Sequence, residues 1–144
     1  MIEFKILGIP SPKQSARFYA KNIGGKTMIK SYQKKEVVEK ERNIAFDVRS
    51  QLPEGFIPYD CPLSFEVLFV FPLLSSMKKS VRQAIEDSVI VYKPTKPDLQ
   101  DNLMKGLSDS MNGIVFVDDS RICKVSSQKI YGLIPRTEVI IKPL

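Results

Sequence analysis

The chain has 144 residues, 43% of them hydrophobic and 26% charged, a composition that predicts one globular domain over residues 1–144 with a core that needs no covalent staples. Histidine is absent, which excludes histidine-dependent catalysis and histidine-bearing metal sites, and the two widely spaced cysteines, Cys61 and Cys123, argue against a secreted disulfide framework. No apolar run is long enough to span a membrane and no signal-peptide pattern is present, so we expect a cytoplasmic protein, while the net charge of +6 favours a polyanionic partner.

The first quarter of the chain is predicted to form a strand followed by a basic hairpin or ordered loop. Residues 2–9 alternate loosely between apolar and polar side chains and end at Pro10, which cannot donate to a strand ladder. Gly24 and Gly25 then provide a turn signal between two short segments that contain aromatic and apolar residues.

The excess positive charge is confined to this part of the chain. Residues 1–50 contain 11 Lys and Arg against 5 Asp and Glu, and no acidic residue lies between Glu3 and Glu36. Such a basic stretch is typical of a surface that binds phosphates, since each neutralised phosphate releases counterions. A solvated basic face without a ligand is the alternative interpretation.

Beyond the hairpin, helical hydrophobic spacing alternates with runs rich in Phe, Val and Ile, which are typical of strands. This order predicts an α+β fold with a mixed or mainly antiparallel sheet and with helices packed on one face. The predicted helices cover residues 31–52, 77–87 (capped by Ser75 and Ser76) and 98–111, and the predicted strands cover residues 61–74, 123–131 and 137–142.

A polar stripe is predicted on the last of these helices. At about 100° per residue, Asp98, Asp101, Lys105 and Asp109 fall within an arc of about 80°, while Leu and Met side chains take the opposite side. Taken alone, this pattern is more typical of an N-cap followed by a surface ion pair than of a functional site.

A second acidic pair favours a functional site over a purely structural role for this stripe. Asp118 and Asp119 follow an apolar run at residues 114–117. Carboxylates from two elements, without His or Cys, form the oxygen-rich ligand set that hard cations such as Mg²⁺ or Mn²⁺ prefer. Such ions clamp a phosphodiester and activate water. Together with the basic stretch, which would cradle phosphate, these acids indicate a metal-dependent nuclease.

The same residues carry a motif that resembles a known family, the RusA-type Holliday junction resolvases of bacteria and their phages. The pattern reads K-P-D, D-N-x-x-K, D, G and D-D-x-x-I in that order. The basic opening that follows Pro10 and the K-I-Y segment at residues 129–131 extend the resemblance over nearly the whole chain. The motif residues are Lys96, Pro97, Asp98, Asp101, Asn102, Lys105, Asp109, Gly113, Asp118, Asp119 and Ile122.

The resemblance implies a homodimeric endonuclease that requires Mg²⁺, with Mn²⁺ as an alternative ion. Its implied substrate is branched DNA, in particular the four-way junction. It would resolve the junction during recombination and repair by cutting two strands at symmetric positions. By the same resemblance, Asp98, Asp101 and Asp119 bind the metal, Lys105 is the essential catalytic lysine near the scissile phosphate, and Asp118 adjoins this set.

The spacing of the first two acids departs from the family pattern. The family reads Asp-x-Asp-Asn, whereas Leu99 and Gln100 both lie between Asp98 and Asp101 here. One alternative is that Asp98 only caps the helix, and that Asp101 and Asp119 bind the metal alone. Another is that the altered spacing has abolished catalysis, which would leave a non-catalytic protein that binds branched DNA.

The basic opening also predicts which side chains contact DNA. Lys13 and Arg17 lie closest to the family's basic opening. The nearby aromatic residues Phe18, Tyr19 and Tyr32 would either stack on exposed bases or, more commonly, pack within the hairpin. The predicted DNA-binding residues are Lys13, Arg17, Lys21, Lys26, Lys30 and Lys129, the last of which either lines the same groove or only flanks a strand.

Overall fold

The fold is an α+β arrangement of a mixed four-stranded sheet, a separate two-stranded hairpin and a set of helices. A computed structural model describes residues 1–11, 17–32 and 35–144. In chain order, the elements are β1 (Ile2–Leu7), β2 (Arg17–Ile23), β3 (Lys26–Tyr32), α1 (Lys35–Gln51), β4 (Leu63–Phe71), α2 (Lys79–Glu86), a π-helical segment (Leu99–Met104), α3 (Lys105–Met111), a 3-10 turn (Asp119–Arg121), β5 (Ile122–Tyr131) and β6 (Arg136–Pro143).

Strand β4 lies inside the sheet, whose strand order is β1-β6-β4-β5. It pairs antiparallel with β6 and parallel with β5, and β6 pairs antiparallel with β1. Leu63, Phe65 and Phe69 of β4 are each at most 2% exposed. Seven of its nine residues are buried, so the predicted buried central strand is confirmed.

The helices pack against one face of this sheet, as predicted. Val48 of α1, Ile85 of α2 and Met111 of α3 belong to the same buried cluster as the core residues of β4. Burial of these apolar side chains is the main force that holds helices and sheet together. Within the described ranges, none of the helices is both long enough and apolar enough to cross a lipid bilayer.

The start of α2 differs from its prediction. The helix begins at Lys79, and its N-cap residue is Lys78, whose side chain makes no capping hydrogen bond, so the prediction of a serine cap is wrong. Arg82 holds this region instead, because its guanidinium donates to the carbonyl oxygens of Leu74 at 2.6 Å and Met77 at 3.3 Å. A side chain from inside the helix therefore ties the preceding segment to α2, although as a donor it does not cap the first N–H groups of the helix.

The predicted basic hairpin is confirmed as the β2–β3 pair, which turns at Gly24 and Gly25 with positive φ at both. The antiparallel register sets Arg17 opposite Tyr32, Tyr19 opposite Lys30 and Ile23 opposite Lys26. Directly opposed residues, and every second residue along a strand, belong to the same face of a ladder. By this register, one face of the hairpin carries the positions of four predicted DNA-binding residues, Arg17, Lys21, Lys26 and Lys30.

Candidate active site

The first half of the predicted helix at residues 98–111 is π-helical. The Leu103 N–H donates to the carbonyl oxygen of Asp98, five residues earlier, at 3.1 Å, and regular α-helix begins only at Lys105. Asp98 occupies the N-cap position, but its side chain makes no capping hydrogen bond, so the alternative that its carboxylate only caps the helix is wrong. An i to i+5 turn encloses one residue more than an α-turn. The π-helical segment therefore accommodates the one extra residue between Asp98 and Asp101.

This winding breaks the polar stripe predicted at 100° per residue. Asp98 and Asp101 are exposed at the start of the π-helical segment. Lys105 and Asp109 lie one turn apart on the regular helix α3, where an i,i+4 pair shares a face. The helix therefore presents its acids in two groups rather than as one continuous row.

The second acidic pair follows a loop that is held in place by backbone hydrogen bonds. Gly113, with φ of 74°, donates to the Phe116 carbonyl at 2.8 Å, and left-handed backbone of this kind favours glycine. Tyr59 donates to the Val115 carbonyl at 2.9 Å, and Val117 donates to the Tyr59 carbonyl at 3.0 Å. Val115 and Phe116 are fully buried. The backbone that leads into Asp118 and Asp119 is therefore held in a fixed position.

The two adjacent aspartates have different environments. The Asp118 carboxylate accepts a hydrogen bond from the Ser120 N–H at 2.9 Å and so caps the 3-10 turn. Hydrogen bonds from the side chain and backbone of Ser120 lower the pKa of Asp118. Arg121 at the end of the turn donates to Asp60 at 2.6 Å. With Asp118 occupied as a cap, Asp119 is the member of the pair that faces the neighbouring cavity.

A cavity of about 730 Å³ brings the two elements together. Lys105 and Asp109 of α3 line it together with Asp119, while Asp98 and Asp101 do not. Phe65 contributes part of the wall, and further lining residues are Leu99, Gln100, Met104, Ser108, Ile122, Val125, Ser126 and Ser127. Asp109 was placed on the predicted stripe but not among the predicted site residues. Its signal in the sequence was the i,i+4 spacing from Lys105.

A comparison with protein-family models identifies the family of this chain. The model of the endodeoxyribonuclease RusA family matches residues 10–142. The chain belongs to the RusA family. It is therefore an endodeoxyribonuclease, an enzyme that hydrolyses DNA, and the resemblance drawn from the motif is confirmed. Membership implies Holliday junction resolvase activity on branched DNA, in a family that generally depends on divalent metal ions.

The chain is also similar to a protein described as the uncharacterized protein YqaN of Bacillus subtilis (strain 168). The two are 28% identical over 142 residues, which cover 98% of this chain and 95% of that protein. The similarity thus extends over nearly the whole length of both proteins.

The polar groups that line the RusA cavity suit a hard cation. They are carboxylates, hydroxyls, one amide and one amine, and Mg²⁺ is usually held by one or two carboxylates together with substrate phosphates and water. Among residues 1–11, 17–32 and 35–144, no three acidic or cysteine side chains converge into a preformed metal cluster. The donor set therefore fits an ion whose remaining ligands are water molecules or DNA phosphates.

The predicted DNA-contacting residues of this RusA protein fall in three regions. Lys13 lies outside the described residues. The positions of Arg17, Lys21, Lys26 and Lys30 share one face of the hairpin, and Lys26 is exposed at its turn. Lys129 is half-buried, and its Nζ atom donates to two backbone carbonyl oxygens. Contact between these residues and DNA remains a prediction.

Proposed function

We propose that this RusA protein is a Mg²⁺-dependent resolvase that cuts four-way DNA junctions symmetrically as a homodimer. The observation that carries the proposal is the shared cavity of Lys105, Asp109 and Asp119, which combines one amine with two carboxylates from separate elements. Metal-dependent hydrolysis of a phosphodiester combines carboxylates that hold the cation with positive charge that stabilises the phosphate in the transition state. Residues of both kinds line this cavity.

Asp119 and Asp109 would hold the cation inside the cavity. The family resemblance adds Asp98 and Asp101 as ligands; they lie outside the cavity wall, so their exposed side chains would have to turn toward the ion when it binds. A bound Mg²⁺ supplies Lewis-acid charge and activates water for attack. The Lys105 ammonium stabilises the negative charge that develops on the scissile phosphate, or donates a proton to the leaving oxygen. Asp118 keeps its capping role and so fixes the turn that carries Asp119.

The cationic face of the β2–β3 hairpin supports the assignment of DNA as substrate. By strand register, Arg17, Lys21, Lys26 and Lys30 lie on that face, which gives phosphates a positive surface. Acidic residues alone would repel DNA. The hairpin thus provides positive charge for the phosphates, and the cavity provides carboxylates for a cation.

A homodimer follows from the reaction. Two symmetric cuts on opposed strands of a junction require two active sites related by a two-fold axis, which a closed dimer provides. Sedimentation analysis of the purified protein, alone and with junction DNA, checks this expectation. A monomer on the DNA would contradict paired cleavage by one enzyme particle.

The decisive experiment is cleavage of a labelled synthetic four-way junction and of a matched linear duplex, in Mg²⁺ or in EDTA. Asp119→Asn and Lys105→Met are each expected to lower cleavage by about 100-fold or more, the size of loss typical for groups that stabilise developing charge. Asp118→Asn is the matched control, because asparagine also caps a helical turn. We expect it to lower cleavage only a few-fold.

Junction binding is measured in EDTA for the same variants. Paired symmetric nicks in the junction alone, lost in EDTA and in Asp119→Asn with binding retained, support the proposed resolvase. Tight junction binding without cleavage in Mg²⁺ or Mn²⁺ would overturn it in favour of a branched-DNA-binding protein. Equal losses in Asp118→Asn and Asp119→Asn would contradict the separate roles of the two acids.

A further inference from the structure

Lys129 is turned toward the segment that leads into Asp98. It lies on β5, is half-buried, and its Nζ atom donates to the carbonyl oxygens of Thr95 at 2.5 Å and Pro97 at 2.7 Å. Two of the three N–H donors of an ammonium group are thereby directed at backbone oxygens. Hydrogen bonds from a charged donor are stronger than neutral ones, particularly where water has partial access only.

The rest of this connector is tied to the same strand. Tyr131 donates its N–H to the Val91 carbonyl at 2.9 Å, and Lys93 donates its N–H to the Lys129 carbonyl at 3.0 Å. The Lys93 ammonium donates to Thr95 Oγ1 at 2.8 Å and lies 5.3 Å from the centroid of the Tyr131 ring. The connector therefore follows β5 as far as Lys93, and Lys129 extends the attachment to Pro97.

The Pro97 carbonyl belongs to the peptide group that it shares with the nitrogen of Asp98. A peptide group is planar. A hydrogen bond that fixes the Pro97 carbonyl oxygen therefore also fixes the orientation of the peptide group between Pro97 and Asp98. The carbonyl of Asp98 accepts the hydrogen bond from Leu103, which holds the plane on its C-terminal side. The backbone of Asp98 is thus fixed on both sides, and Lys129 provides one of the two restraints.

We infer that Lys129 is a positioning residue that fixes the backbone of Asp98 for cation binding, and that it is not a contact to DNA phosphate. The inference rests on the proposed function, in which Asp98 contributes to the cation shell. Groups that orient a ligand without touching the metal typically change metal affinity by about 10- to 100-fold when they are removed. Replacement of a lysine that contacts phosphate has a different effect: it reduces the salt dependence of DNA binding.

The test compares Lys129→Met with Lys124→Met, a matched loss of one positive charge at an exposed lysine of the same strand. Binding of Mn²⁺ alone to the purified protein is measured by electron paramagnetic resonance, and junction binding in EDTA is measured over a series of salt concentrations. Lys129→Met is expected to weaken Mn²⁺ binding by about tenfold or more. Its junction affinity and salt slope should match those of Lys124→Met.

A double variant separates positioning from general loosening of the fold. In an Asp98→Asn background, Lys129→Met should cause no further loss of Mn²⁺ affinity, because the ligand that it orients is already impaired. A full additional loss would overturn the inference. If Lys129→Met does not fold, Lys129→Arg takes its place, since the planar guanidinium keeps the charge but does not reproduce the donor geometry of an ammonium.

The remaining outcomes are also informative. Mn²⁺ affinity that is unchanged in Lys129→Met, with a salt slope lowered by about one, would overturn the inference in favour of a phosphate contact. Wild-type protein that binds no Mn²⁺ and cleaves no junction would overturn the proposed function as well. Wild-type protein that binds Mn²⁺ and cleaves the junction, with Lys129→Met equal to Lys124→Met, would overturn the positioning role alone.

Discussion

Arg121 Nε lies 2.6 Å from Asp60 Oδ1, 61 positions earlier in the chain. This contact ties the turn Asp119–Arg121 to the segment that precedes β4. The hydrogen bond from Arg121 to Asp60 also raises the pKa of Arg121. Both side chains are substantially exposed, so the pair adds little to the free energy of unfolding. Its consequence is geometric, because it restrains the far end of the turn that carries a proposed cation ligand.

We therefore expect Arg121→Gln to lower junction cleavage by about tenfold, since small displacements of a reacting group are costly in rate. Its unfolding temperature should change little. Lys142→Met is the matched control, because Lys142 makes a similarly exposed pair with Glu66 at 3.0 Å between β6 and β4. If both variants cleave at the same rate as the wild type, Arg121 does not position Asp119.

Deletion of Gln100 tests the π-helical segment. Gln100 is exposed, and its removal would let the i to i+5 turn close as an ordinary α-turn. We expect a folded protein with an unchanged or higher unfolding temperature, and cleavage lowered by no more than a few-fold through loss of the Gln100 amide from the cavity wall. Deletion of Ser108 is the control, because one residue lost inside α3 rotates the helix beyond it by about 100°.

That rotation turns Asp109 away from the cavity wall and Met111 away from the core, so the Ser108 deletion should lower the unfolding temperature and abolish cleavage. Thermal unfolding followed by circular dichroism, together with the junction assay, distinguishes the two deletions. A Gln100 deletion that unfolds, or that is as inactive as the Ser108 deletion, would contradict the view that the extra residue is merely accommodated.

The cationic face of the hairpin predicts a specific change in salt dependence. Replacement of Lys21 and Lys30 by Gln should reduce the slope of log affinity against log salt by about two, one unit for each lost phosphate contact. Arg42 and Arg49 are exposed cations on α1, and their replacement by Gln is the matched control. Fluorescence anisotropy with a labelled junction in EDTA measures both slopes. Equal slopes for the two double variants would contradict a DNA-binding role for this face.

The ion pair of Glu138 should make the free energy of unfolding depend on pH in the acidic range. Its carboxylate accepts a hydrogen bond from Arg136 at 2.7 Å and lies 3.7 Å from Lys5, and the Arg136 hydrogen bond lowers the pKa of Glu138. A lowered pKa in the folded state means that the added stability is present above the ordinary value of about 4.3 and is lost as the pH falls through the folded value.

The unfolding temperature of Glu138→Gln should therefore lie below that of the wild type at neutral pH and approach it in acid. Thermal unfolding of both proteins across this range checks the sign. A difference that stays constant down to about pH 3 would show that the charge of Glu138 is not its source.

The sequence predicted the fold well because its signals were local. The Phe- and Val-rich run at residues 61–74 became β4, and Gly24 and Gly25 became the hairpin turn. The site was harder to predict. The angular positions of Asp98 and Asp101 were calculated for an α-helix, and nothing in residue types alone reveals an i to i+5 turn.

The separate roles of adjacent residues also lay beyond the sequence. Asp118 and Asp119 have identical side chains, and only the hydrogen bond from Ser120 assigns one of them to the cap. Lys129 was predicted from charge alone, whereas its environment depends on the path of the connector beside β5. Tertiary contacts decide such assignments, and they are not encoded in local patterns.

The parallel pairing of β4 with β5 also bears on the order in which the molecule assembles. Residues 72–121 separate these two strands, so the pairing must close a long loop, whereas the β2–β3 hairpin forms between neighbours. Closure of distant contacts is slow compared with local pairing. Because Asp119 begins the turn that leads into β5, the cavity acquires this acid only after β5 has been synthesised and has paired with β4. A nascent or truncated chain can therefore display its basic hairpin before it is able to cut DNA.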